Sequence, residues 1–344
     1  MSETNTPVRS AATLEDVARE SGVSLATASR VLNGSTRKVA ESYRARVQDA
    51  ADRLGYTANL SAQATARGTS AIIALLVADI ADPYFGQIAA GVARGADEAG
   101  LVVTIGITER DPVRETRLVR ALRGQRPRGL ILAASRGADA DSAGLQSELD
   151  AFTAMGGRVV VFGAGGSGIR SIVFDNRTGA EQLGAAVAGA GYRDALVIGA
   201  ANGLRTSDDR IAGFTDGFAS GGGTVLEVLR GGFTRDAGYA AATEALARGV
   251  APGTVIFGIS DVVAIGVMSA IRDAGRVVGA DIAVAGFDDI STGRDVQPGL
   301  TTVHVPLEEL GYRALQAATD PEWDASLPAL PLDVKLRGST PPRD

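Results

Sequence analysis

The chain has 344 residues and a formal net charge of −6, with 45% hydrophobic and 22% charged side chains, a single His and no Cys. Single cores stop growing near ~250 residues, so this length predicts two or three domains in a globular chain. The absence of Cys excludes disulfides, thiolate zinc sites and cysteine nucleophiles, and one His excludes a His-rich metal site or a two-histidine mechanism. No run approaches the roughly 18 apolar residues of a membrane span, and the opening MSETNTPVRSAATLED lacks the apolar core of a signal peptide. The expectation is therefore a cytoplasmic protein that does not engage a membrane. Charge is unevenly spread: residues 1–68 hold nine basic and seven acidic side chains, net +2, while the remainder carries 25 against 33, net −8. The overall charge argues weakly against nucleic-acid binding, but a small basic head on an acidic body is a sign asymmetry worth following.

Residues 1–12 are expected to be disordered. From Thr13 the pattern becomes helical. The Thr13 hydroxyl can cap a helix while the Asp16 carboxylate reaches back to the cap, and Leu14, Val17 and Ala18 then recur on one face. Gly22 supplies a left-handed stop, and Ser24 stands where a second helix needs its cap. That helix runs to about Leu32, with Ala28, Val31 and Leu32 inward and Leu25, Ala26, Thr27, Ser29 and Arg30 outward. A third helix over about Glu41 to Leu54, with Val47, Ala50 and Leu54 on one side and Gly55 as the stop, closes a small core. Spacing alone is equally compatible with any three-helix bundle and with a helix-turn-helix, in which the second helix offers its N-terminal face to base edges.

The string Thr13 to Gly34, TLEDVARESGVSLATASRVLNG, resembles the DNA-binding head of the lactose-repressor/galactose-repressor (LacI/GalR) family of bacterial transcription regulators, including its V-S-x-x-T-x-S-R-V-x-N run. The resemblance implies that Leu25, Ala26 and Arg30 read bases, Arg30 by donating two hydrogen bonds to a guanine. It also implies that Ser24, Thr27, Ser29 and Asn33 hold phosphates, which position the protein without choosing sequence. Thr13, Tyr56, Asn59, Ala62 and Thr65 complete the implied DNA-binding set. In the family a hinge helix follows and wedges a Leu into a central base step. Here, over residues 58–69, the usual Pro falls on Ala58 and the wedge Leu on Thr65, a smaller and more polar side chain that predicts weaker central bending.

From about residue 70 the pattern changes to short apolar runs separated by helix-sized stretches. The runs are Ile72 to Val77, Leu101 to Ile105, Leu130 to Leu132, Val159 to Phe162, Ile172 to Phe174, Ala195 to Ile198, Val255 to Phe257 and Ile282 to Ala285. Strands apolar on both faces and spaced this way imply βαβ units, hence parallel sheets covered by helices, in two doubly wound lobes. Ligands in such sheets bind beyond the carboxyl ends of strands, which directs attention to loops 78–85, 106–111, 133–136, 163–168, 199–210, 258–261 and 286–289. One loop, Gly163 to Gly168, spells G-x-G-x-x-G, but a β-like run rather than a helix follows it, so dinucleotide binding is not expected there. His304 lies in a strand-like stretch and reads as structural or as a hinge residue rather than as a base. No phosphate-loop or nucleophile-elbow motif occurs.

The body continues the resemblance, through VFDN at Val173 to Asn176, GFDD at Gly286 to Asp289, PGLTTV at Pro298 to Val303 and PLEELG at Pro306 to Gly311. These look like the effector-binding core that the family shares with periplasmic sugar-binding proteins. The resemblance implies two lobes with three crossovers, a cleft and a homodimer. It places Asp82, Tyr84, Phe85, Ser135, Arg210, Phe233, Ser260 and Asp288 in the cleft, aromatic faces covering the apolar side of a sugar while Arg and carboxylates fix its hydroxyls. Tyr84 and Phe85 also read as core, Arg210 as an ion-pair partner and Asp261 as a helix cap. Two departures from the sugar pattern stand out. An Asp-Arg pair that many relatives have after the fourth strand falls on Gly163 and Ala164, and the usual Asn before Asp261 is Ser260.

The expected organisation is an all-α helix-turn-helix head (13–57), a hinge (58–69), and an α/β periplasmic-binding-protein-like core of two doubly wound parallel-sheet lobes (70–344). Its N-lobe is expected over about 70–168 and 301–320, its C-lobe over about 169–300 and 321–344. The expected function is a ligand-responsive repressor. Its partners would be a pseudo-palindromic double-stranded operator, a second copy of the chain and a small effector, a sugar or sugar derivative, with no metal, cofactor or catalytic residue. A solute sensor whose head has lost DNA binding is the alternative from another class. An enzyme using the cleft has least support.

Overall fold

The computed structural model describes residues 12–32, 39–57, 70–134, 142–163, 165–166, 168–323 and 329–343. Asn33, Asn59, Ala62, Thr65 and Ser135, and the expected disordered leader apart from Ala12, lie outside them. The chain divides into two compact units at Ala71/Ile72.

The first unit is three helices, α1 (Leu14–Ser21), α2 (Leu25–Leu32) and α3 (Glu41–Leu54). The expected capping box is formed: Thr13 Oγ1 accepts from the Asp16 amide at 3.3 Å, and Asp16 Oδ2 accepts from the Thr13 amide at 3.0 Å. Gly22, at φ 63°, ends α1 in the left-handed region that any Cβ disfavours. Ser24 Oγ then accepts from the Thr27 amide at 3.1 Å and starts α2. Val17, Ala18, Ala28, Val31, Val47, Ala50 and Ala51 make the core. Leu54 is a correction: it is exposed, and Ala51 takes an inward place, because the core of three short helices ends one turn before α3 does. From α3, Arg46 donates to the Ser21 carbonyl and so ties the turn between α1 and α2.

The second unit carries two parallel sheets. The first lobe is built from β1 (Ile72–Val77), α4 (Pro83–Glu98), β2 (Val102–Ile107), α5 (Pro112–Arg123), β3 (Gly129–Leu132), α6 (Ser142–Ala154), β4 (Arg158–Phe162) and β5 (Arg170–Ile172). Its strand order is β2-β1-β3-β4-β5. The second lobe contains α7 (Asn176–Gly189), β6 (Asp194–Ala200), α8 (Arg205–Ser220), β7 (Thr224–Gly231), α9 (Arg235–Arg248), β8 (Val255–Gly258), α10 (Asp261–Asp273), β9 (Ala283–Ala285) and α11 (Thr292–Asp295). Its order is β7-β6-β8-β9. The chain then forms β10 (Thr302–His304), which continues this sheet through parallel bridges Ala285–Thr301 and Asp288–His304. It next makes α12 (Leu307–Thr319), which packs on α4 and on β3 to β5, and returns as β11 (Asp333–Lys335), antiparallel to β10.

Three corrections follow. Arg170–Ile172 pairs with β4 and stays in the first lobe, so the first crossover falls after Ile172 rather than at 168/169. Thr301 to His304 belongs to the second sheet instead of the N-lobe, and the chain crosses back only before α12. β7 had no counterpart among the apolar runs, because it is an edge strand covered on one side and therefore alternates, with Leu226 and Val228 exposed. The G-x-G-x-x-G segment leads into β5 and not into a helix.

Within the first lobe, α4 and α12 pack closely. On Gly91 of α4, a Cβ would overlap the Glu308 carbonyl oxygen, and on Gly311 of α12 it would overlap that of Ile88, so these helices approach backbone to backbone. Arg158 Nη1 donates to the Thr319 carbonyl at 3.2 Å and Arg170 Nη2 to that of Pro321 at 3.1 Å, giving the end of α12 the cations its exposed carbonyls favour. No described helix is long and apolar enough to cross a membrane, and no described cluster of His, Asp and Glu could hold a metal ion.

Candidate functional site

Strand ends and helix starts from both lobes converge on a small pocket lined by Asp82, Tyr84, Phe85, Arg110, Ala133, Thr206, Arg210, Phe233, Ser260 and Asp288. All seven of the expected cleft residues that lie in the described chain are here, and the structure adds Arg110, Ala133 and Thr206.

Asp82 caps α4. Its Oδ1 accepts from the Tyr84 amide at 3.0 Å, and Pro83 opens the helix with its fixed φ. That cap aims the next two side chains at the cleft, where the Tyr84 and Phe85 rings meet edge to face at 5.0 Å. Burial pushes the Asp82 carboxyl above its ordinary range, against the opposing hydrogen bond from Tyr84. Burial and the nearby Asp288 push the Tyr84 hydroxyl up as well.

Arg210 is the largest fully buried side chain of the unit. Its Nη2 donates to Asp288 Oδ1 at 2.8 Å, Nη1 to the Ile259 carbonyl at 2.8 Å and Nε to Asn176 Oδ1 at 2.7 Å. The guanidinium also lies 3.9 Å from the centre of the Phe287 ring. This is the satisfaction a buried cation needs, and it makes Asn176, in the VFDN segment, part of the site's support. Asp288 and Asp289 both have positive φ, 115° and 55°, a strain that persists only where surroundings over-determine it. They do: Asp288 N donates to the Val303 carbonyl at 2.9 Å, and Asp289 is held by Arg337, Arg294 and His304. His304 Nδ1 lies 3.0 Å from Asp289 Oδ2, close to where the chain crosses between the lobes. Burial lifts Asp288 to about 7, with Arg210 opposing.

Ser260 stands before α10 in extended backbone. Its hydroxyl is buried and has no hydrogen-bond partner among the described residues, an exception to the usual pairing of buried polar atoms. Asp261 next to it is not in the pocket. Its carboxylate accepts from Thr302 Oγ1 at 2.6 Å and from the Ile290 amide at 2.9 Å, clipping α10 to the loop after β9.

The pocket measures about 30 Å³, enough for a water but not for a sugar. A cavity of about 600 Å³ adjoins it, sharing Asp82 and Phe233 and reaching Val262, Ile265 and Thr292. Arg110, from the loop after β2, explains the tightness. Its guanidinium lies 4.6 Å from the Phe233 ring of the second lobe and 5.9 Å from the Phe85 ring of the first. The loop 106–111 was legible as a cleft loop, but nothing in the residue string singled out Arg110.

In the head, Leu25, Ala26 and Arg30 are exposed on α2, Ser24 is exposed at its start, and Thr27 and Ser29 are half-buried. Thr13 is committed to its capping box, and Tyr56 packs half-buried on the core.

Residues 13–59 match the description "Bacterial regulatory proteins, lacI family", and residues 185–340 match a periplasmic binding protein-like domain. The HTH-type transcriptional regulator GalR of Escherichia coli (strain K12) is 31% identical over 309 residues, covering 89% of this chain and 88% of that protein. The HTH-type transcriptional repressor PurR of Proteus mirabilis (strain HI4320) is 30% identical over 312 residues, covering 90% of each. A lac repressor dimer solved with operator and the anti-inducer ONPF is similar at a TM-score of 0.80 and 25% identity, over 96% of this chain and 100% of that one. A CelR–cellobiose complex is similar at a TM-score of 0.68 and 27% identity, over 95% and 99%. The chain belongs to the lacI family of bacterial DNA-binding transcriptional regulators.

Proposed function

We propose that this regulator is a cytoplasmic, dimeric repressor whose two heads read the halves of a pseudo-palindromic operator. A small metabolite, a sugar or sugar derivative, binds the cleft and changes operator affinity. The convergence of Asp82, Tyr84, Phe85, Arg210, Phe233, Ser260 and Asp288 on one pocket carries the effector half of the reading, because five separate segments must meet to build it. The exposure of Leu25, Ala26 and Arg30 on a capped second helix supports the operator half. Two relatives add to it: one was solved as a dimer on its operator, another with cellobiose.

Effector and operator sites are linked by a coupling free energy, ordinarily ~1–3 kcal/mol, and the linkage is reciprocal. An inducer that weakens operator binding must itself bind the operator complex more weakly. A parting or closing of the lobes about the small pocket is the two-state change that this requires.

The test is selection of bound duplexes from a random DNA pool by the full chain, repeated with Arg30→Ala. The expected result is a palindrome whose half-sites lose discrimination at one base pair by about 1–3 kcal/mol in the variant. A dimer that enriches no sequence, with or without candidate metabolites present, would sink the operator reading and favour a solute sensor.

A further inference from the structure

Arg110 stands in the cleft with no carboxylate bonded to its guanidinium, although Asp82 and Asp79 favour its charge through space. Its side chain makes no hydrogen bond or ion pair among the described residues and lies over the faces of Phe85 and Phe233. The neighbouring cations are all engaged otherwise. Arg210 is held by three acceptors, Arg114 pairs with Glu109 at 3.0 Å, and Arg230 with Asp208 at 2.7 Å. Of the nearby carboxylates, Glu109 pairs with Arg114, while Asp79 and Asp82 accept from the Ala81 amide at 2.8 Å and the Tyr84 amide and reach Arg110 only through space.

A stacked guanidinium satisfies its π faces and leaves its N–H edge donors to be met by something else. Desolvation works against the charge and Asp82, Tyr84 and Asp79 favour it, but none of them accepts a hydrogen bond from the guanidinium, and a buried donor edge left unmet is costly unless a ligand completes it. The side chain is also set deliberately. Glu109 and Arg110 have φ of 55° and 58°, a left-handed pair that non-glycine residues rarely adopt, anchored by Glu109 N donating to the Ala78 carbonyl at 3.0 Å. In the same pocket the buried Ser260 hydroxyl likewise lacks a partner.

We propose that the cleft ligand carries an anionic group, a carboxylate or a phosphate, which Arg110 receives on its guanidinium edge with Ser260 Oγ as a second hydrogen-bonding partner. The proposal rests on the effector-cleft reading above and narrows it. A neutral sugar offers the Arg110 edge only neutral acceptors, whereas an oxyanion makes charge-assisted hydrogen bonds to it and matches its planar fork. The same charge selects against neutral analogues, since a site built for an anion loses more than it gains when the anion is missing.

The test is calorimetric binding to the full-length protein of matched probes: glucose, gluconate and glucose 6-phosphate, and the corresponding galactose set. One acid is expected to bind at least about tenfold more tightly than its neutral parent. Arg110→Gln should abolish that preference, weakening the acid about tenfold more than its neutral parent, and Arg110→Lys should restore part of it. Preference for the aldonic acids identifies a carboxylate, preference for the sugar phosphates a phosphate. Neutral sugars binding as tightly as the acids, an acid preference that survives Arg110→Gln, or failure of every acid to bind would each overturn the proposal. If Arg110 merely braces the lobes, its replacement shifts melting but not the acid-to-neutral ratio. Operator affinity is read in the same samples. An acid that binds through Arg110 yet leaves operator affinity unchanged sinks the regulatory reading and leaves this one standing.

Discussion

Arg210 and Asp288 meet at 2.8 Å with side chains only 2% and 4% exposed, the most buried ion pair among the described residues. Removing one member of such a pair leaves the other polar group buried without its partner. Arg210→Ala is expected to destabilise the core by about 3–5 kcal/mol, and adding Asp288→Asn should recover part of the loss because the orphaned carboxylate is gone. Chemical denaturation of the three variants measures this. Strict additivity would show that the two groups do not depend on one another.

The pH dependence of stability follows from the same carboxylate. Asp288 is lifted from 3.8 to about 7 by burial, so between those values the folded chain holds a proton that the unfolded chain has released. Stability therefore falls as pH rises through this window. Asp261, pushed up by burial and by Asp288, acts in the same direction. Asp289 works oppositely: burial raises it, but hydrogen bonds from Arg337 and Arg294 outweigh that and hold it below its ordinary range. Its contribution is complete above 3.8 and is lost in acid. Thermal melting from about pH 5 to about pH 8 should show the core losing stability on the order of a few kcal/mol, with the slope flattened in Asp288→Asn.

Helices α4 and α12 touch through two glycines, and each position lacks room for a methyl group. Gly91→Ala and Gly311→Ala are each expected to cost about 1–3 kcal/mol by overpacking. The double variant should cost less than the sum, because one separation of the helices relieves both clashes. Equal melting of wild type and Gly91→Ala would show that the helices part without penalty.

In the head, Gly22 holds a left-handed turn at φ 63° between α1 and α2. Gly22→Ala should destabilise the head by about 1–2 kcal/mol. Hydrogen exchange of α1 and α2 amides in the full chain is expected to quicken roughly tenfold, with exchange in β1, β6 and β8 unaltered. Unchanged exchange in the head would mean that the turn relaxes to accept a Cβ.

The recognition helix and its turn were legible from the residue string because every signal there is local. Thr13 with Asp16, Gly22, Ser24 and Gly55 fall within one turn of the backbone groups they satisfy. The buried parallel strands were legible for a related reason. A strand covered on both faces must be apolar throughout, as Ile73 to Val77 is. β7 escaped because an edge strand obeys no such rule, and Leu54 was misplaced because a helix's period does not say where its core ends. The cleft divides in the same way. Strand-end loops were marked in the sequence, and the family resemblance picked out Asp82, Arg210 and Asp288. Which groups those residues satisfy was decided only by folding. Arg210 finds Asn176, Ile259 and Asp288 at separations of 34, 49 and 78 residues, and Asp261 meets Thr302 at 41. Arg110 reaches Phe233 only because two separate lobes face each other across the cleft. Caps, turns and buried periodicity are short-range conditions that a sequence writes out directly. Pairing and lack of pairing among distant charges are properties of closed space, and only the packed chain determines them.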